Sequence, residues 1–78
     1  MIRVRWIDRL VRRTVVVHLT TGASIRGVLV GAYRDSIVLS HATYLGMIGG
    51  ERVETPIDGD AVILREQVAW MQNLGESA

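Results

Sequence analysis

The sequence has no cysteine, no phenylalanine and no lysine, and only one proline. Without cysteine, neither a disulfide nor a thiolate metal site can support a small core. Without phenylalanine, and with aromatic residues at 5%, the core has to come from Val, Ile and Leu. Branched side chains of this kind pack best on pleated strands. No apolar run approaches the roughly 20 residues that a bilayer-spanning helix needs. Arg3, Arg5, Asp8 and Arg9 interrupt every apolar run in Met1–Val11, so a secretory leader is not expected. The expected location is the cytoplasm, or the host cytoplasm if the chain is viral.

What is present is 78 residues, 49% of them apolar. That is too apolar for a disordered chain and fits one domain spanning 1–78. A domain of this size buries only about 60–65% of its unfolded surface. With staples excluded, oligomerisation is the remaining means of support. All nine basic residues are arginine. A coding bias toward arginine would explain this, as in a high-GC actinobacterium or its phage. The net charge of +1 hides an imbalance: residues 1–34 carry a balance of +6 and residues 35–78 a balance of −5. If folding keeps the two apart, one basic face is available for phosphates or an acidic partner.

Val4, Ile7, Leu10 and Val11 recur at helical spacing, with Arg5, Arg9, Arg12 and Arg13 on the other side. This predicts a helix over 4–13 with a basic face. The period then shortens to two. Strands are predicted over Thr14–Thr20, Ser24–Tyr33, Ile37–Thr43, Ala61–Arg65 and Gln67–Gln72. Gly27 and Gly31 lie inside the second of these, where glycine marks a bend, a bulge or a close backbone approach. Arg34-Asp35-Ser36 reads as a turn, and Arg65-Glu66 as a sharp bend. Gly46–Gly59 is either a loop or a long hairpin with a soft middle. Asn73–Ala78 reads as a frayed tail. The pattern fits a small all-β barrel of five strands with an N-terminal helix. A three-stranded sheet with Asp60–Leu74 helical is the structural rival.

Val15, Val17, Leu19, Gly22, Ile25, Gly27 and Leu29, followed by Ile37-Val38-Leu39, fall in an order and spacing that resemble the first motif of the Sm-like (LSm/Hfq-type) proteins. Leu64-Arg65-Glu66, with Val68 and Met71, resembles the second. The likeness covers about residues 4–73. It implies a five-stranded SH3-like open barrel capped by the helix. It further implies a homo-oligomeric ring of five to eight copies, with Ala61–Arg65 and Gln67–Gln72 as the joining edges. Val62, Leu64, Val68 and Trp70 would then be interface residues. Family members that bind uridine-rich RNA at the pore use an aromatic or similar stacking residue and an Asn before the third strand. The matching loop here is Tyr33-Arg34-Asp35-Ser36. It lacks Asn, and Glu66 stands where the family has Gly.

From the residues themselves, Tyr33 can stack a base and Arg34 can hold a phosphate, with Arg65 contributing from the later bend. Arg5, Arg9, Arg12 and Arg13 can follow a phosphate backbone. The plainer alternative is an ordinary loop and a solvated helix face. Trp6 and Trp70 suit either a core or an interface anchor. His18 and His41 lack a third ligand for a metal. Asp58 and Asp60 flank Gly59 in what reads as a turn. Ser24, Ser36 and Ser40 show no nucleophile context, and no phosphate-loop motif is present. The expected function is a non-enzymatic ring that binds single-stranded RNA, with no cofactor, no metal and no membrane partner. The rival is a self-assembling structural module, such as a phage virion or connector component.

Overall fold

Period-two alternation along this chain is realised as strands throughout the residues that the computed structural model describes, 10–76. They are β1 (Arg13–Leu19), β2 (Ser24–Ala32), β3 (Ser36–Ile48), β4 (Glu51–Pro56), β5 (Ala61–Leu64) and β6 (Val68–Glu76). A 3-10 turn, Arg65–Gln67, links β5 to β6. All pairings are antiparallel. The order across the sheet is β4-β3-β2-β1-β6, and β5 pairs with the first part of β3. β3 therefore has two partners along one edge, β5 at its start and β4 at its end.

Register places the apolar residues on one face. Val15 lies opposite Gly27 and Val17 opposite Ile25. Leu29 lies opposite Leu39, Ile37 opposite Ile63 and Leu39 opposite Ala61. These residues, with Ala42, form the buried core. Leu29, Ile37, Leu39, Val15 and Val17 are the largest fully buried side chains. As composition requires, none is aromatic. The β2–β3 register shifts between Arg26 and Val28 and again between Leu29 and Gly31. Each extra residue sharpens the local twist, so the bends fall at the two glycines singled out in the sequence.

Three expectations need correction. Five strands become six, because Gly46–Pro56 takes the hairpin of its two readings and not the loop. β3 runs on to Ile48, and Gly49 and Gly50, at φ 60° and 84°, close a two-residue turn into β4. Successive left-handed residues match the twist of a tight hairpin, and glycine adopts them without strain. The frayed tail is also absent as far as Glu76. β6 continues because Thr14 pairs with Gly75 and Arg13 with Glu76. Most of the expected helix lies outside the described residues. Its last part is not helical: residues 10–12 form a turn. Arg12 has φ 72°, a conformation that ends a helix. Its N–H donates to Leu29 O at 2.6 Å, and Arg13 already belongs to β1. Arg12 and Arg13 therefore form no helix face.

Candidate nucleic-acid interface

The β2–β3 turn is set by one backbone bond. Tyr33 N–H donates to Ser36 O at 2.8 Å, which leaves Arg34 and Asp35 at the tip. Tyr33, Arg34 and Asp35 are all exposed, and Ser36 is half-buried. The Tyr33 ring lies against Gly31. A Cβ there would stand 2.8 Å from Tyr33 Cε2, closer than carbon atoms tolerate. The missing side chain thus makes a seat for the ring, while Tyr33 remains 59% exposed. An aromatic ring seated on backbone and open to solvent is a stacking platform.

β5 brings the second segment to this turn. Ser36 lies opposite Leu64, so the chain enters the 3-10 turn beside Asp35. Arg65 N–H donates to Asp35 O at 2.9 Å. The Arg65 side chain then donates through Nε to Tyr33 O at 2.5 Å. Two residues of one turn are held by an arginine far away in sequence, through both its main chain and its side chain. Guanidinium carries five donors, and the rest of the Arg65 set has no partner among the described residues. The Arg34 side chain, the Asp35 carboxylate and the Glu66 carboxylate likewise make no hydrogen bond or ion pair there. The result is a ring platform, two cationic heads and two free carboxylates on two turns that Arg65 joins.

Solved structures share this arrangement of strands. One is the Sm protein of Pyrococcus abyssii in complex with a uridine heptamer, with 27% identity and a TM-score of 0.73 over 94% of this chain and 99% of that one. A heptameric archaeal Sm protein matches at 21% identity and TM-score 0.69, over 90% and 97%. This chain has the Sm-like fold. A chain of the NatC complex bound to CoA also matches, at 18% identity and TM-score 0.64, over 92% and 84%. No family model matches the sequence, and no curated protein does.

In this Sm-like chain the remaining predicted residues lie elsewhere. Arg5 and Arg9 fall outside the described residues, as does Trp6. Arg12 is beside Leu29, four residues short of Tyr33 along β2, roughly 13 Å at the usual strand rise. The helix arginines and the Tyr33 turn therefore do not form one cluster in the part described. Among the described residues, β5 and β6 each pair on one side only and not with each other. Val62 and Leu64 on β5 are exposed, as is Trp70 on β6. Val68 differs from the other three, since it packs partly against the core.

Two features were not legible in the sequence. Gly31 reads there as a bend, whereas its further role is to seat Tyr33. His18 stacks on Trp70, with ring centroids 3.8 Å apart and planes 9° apart, and its Nδ1 lies 3.0 Å from Ser24 Oγ. That contact depends on the β1–β6 register, which places His18 opposite Trp70. Alternation in β1 alone shows that His18 faces away from Val17. It does not show what faces His18. His41 sits apart in the irregular part of β3, exposed and with φ 49°.

Proposed function

We propose that this chain assembles into a homo-oligomeric ring of five to eight copies that binds single-stranded RNA without catalysing a reaction. Copies join through the free edges of β5 and β6, so that the open side of each barrel is completed by its neighbour. Unpaired edges invite such pairing, and a closed ring consumes them. Val62, Leu64 and Trp70 lie where that contact would bury them. Tyr33, Arg34 and Arg65 supply the nucleotide site, with Asp35 and Ser36 completing its turn.

The observation that carries the RNA reading is the double anchoring of Arg65 on the Tyr33–Ser36 turn. It ties a cationic side chain to the main chain of the turn that carries the exposed Tyr33 ring, in a fold similar to a protein solved with a uridine heptamer. A base can stack on Tyr33 while Arg34 and Arg65 meet the flanking phosphates. Repetition around a ring would thread one strand past successive copies.

Light scattering on the purified chain tests assembly, and a particle of one copy at high concentration refutes the ring. Fluorescence titration with labelled single-stranded RNA at two salt concentrations tests binding. Micromolar or tighter affinity that weakens with salt and with Arg34→Ala is expected. A ring that binds no RNA at low salt would favour the structural-module reading. The exposed apolar residues at both sheet edges suit that role by themselves.

A further inference from the structure

We infer that the turn site prefers guanine to uracil, with Asp35 and Glu66 as the groups that read the base. This rests on the RNA-binding reading above. An acid next to an arginine is usually neutralised by it. Here Arg65 directs Nε to the Tyr33 carbonyl instead, and neither Asp35 nor Glu66 has a side-chain partner among the described residues. Both are exposed. The Arg65 N–H to Asp35 O bond of 2.9 Å ties the 3-10 turn that carries Glu66 to the turn that carries Asp35 and Tyr33.

A carboxylate can only accept hydrogen bonds. The Watson–Crick edge of uracil offers one N–H between two carbonyl oxygens, so a carboxylate gains one bond and meets two like-charged atoms. Cytosine and adenine each place an acceptor nitrogen beside their amino group. Guanine alone offers two adjacent donors, N1–H and N2–H, which match the two oxygens of one carboxylate. An amide would serve uracil better, since it both donates and accepts. Residues 33–36 contain no Asn or Gln. Gln67 belongs to the far end of the 3-10 turn, where its carbonyl accepts from Thr20 N–H. Against phosphate the two acids are a penalty, which Arg34 and Arg65 offset. Against a guanine edge they are the matching partner.

The test uses the full chain and four labelled heptamers, UGUGUGU, UAUAUAU, UCUCUCU and UUUUUUU, none of which has a run of guanines. The expected result is UGUGUGU binding at least about tenfold tighter than UUUUUUU, the scale of one good bidentate base contact. The double variant Asp35→Asn with Glu66→Gln should reduce that ratio below about threefold, by weakening UGUGUGU more than UUUUUUU. Equal or tighter binding of UUUUUUU by the unaltered chain overturns the preference and leaves the RNA reading intact. So does UAUAUAU equal to UGUGUGU, which would mean purine stacking alone. A guanine preference that survives in the double variant overturns the role of the two acids. Failure of all four heptamers to bind at low salt overturns this inference together with the RNA reading.

Discussion

Replacing Gly27 with alanine sets two opposing effects against each other. Gly27 is not in the left-handed region, so alanine can take its backbone conformation. Loss of chain freedom in the unfolded state would then stabilise the protein by about 0.4–1 kcal/mol. The new methyl, however, would stand 3.0 Å from Ser40 O, 3.2 Å from Ala42 Cα and 3.2 Å from Leu39 Cβ. Two of these atoms are backbone of β3, fixed where the β2–β3 register shifts, and cannot rotate away. Overpacking of this kind costs about 1–3 kcal/mol. The clash wins, and Gly27→Ala should lose about 1–2 kcal/mol. That is a visible share of the roughly 4–12 kcal/mol expected for a chain this long. Gly31→Ala is the control. The three atoms nearest the methyl there all belong to Tyr33, an exposed side chain that can swing aside, so stability should stay within about 0.5 kcal/mol. Urea unfolding followed by tryptophan fluorescence measures both, at one protomer concentration because assembly adds to apparent stability. A Gly27→Ala chain as stable as the parent would refute the close-approach reasoning.

Two further outcomes are expected. Trp70→Ala removes the stack on His18, worth about 0.5–1.5 kcal/mol beyond buried area, and should also shrink the assembled particle in light scattering. Unchanged particle size would remove Trp70 from the interface. Glu54→Gln breaks the 3.1 Å pair with Arg26, whose side chains are 42% and 63% exposed. Solvent screens such a pair, so urea midpoints should move by less than the equivalent of about 0.5 kcal/mol. A loss above 1 kcal/mol would show the pair to be shielded in the assembled form.

Much of the architecture could be read from patterning. Ile25 and Leu29 alternate with residues that are less buried, whereas Val15 and Val17 flank Val16, which is buried as well. The bends at Gly27 and Gly31 were readable because glycine inside a strand has few other uses. The β3–β4 hairpin was one of two readings that patterning left open. Gly46, Gly49 and Gly50 look like a loop when counted, and only pairing with Glu51–Pro56 makes a ladder of them. The C-terminal extension of β6 escaped for the same reason. Asn73–Glu76 has little strand propensity of its own and is held by β1.

The sequence by itself determined an all-β chain with a Val, Ile and Leu core, because binary period and composition are local properties. It also placed Tyr33-Arg34-Asp35-Ser36 and Arg65 in turns, where exposed polar groups belong. Only the tertiary structure decided that these two turns are hydrogen-bonded to each other. Contact between residues 32 positions apart depends on the β3–β5 register, and Arg65 is aimed by hydrogen bonds to the Asp35 and Tyr33 carbonyls. The acceptors are backbone carbonyls that every residue carries, so the sequence does not announce which of them Arg65 meets.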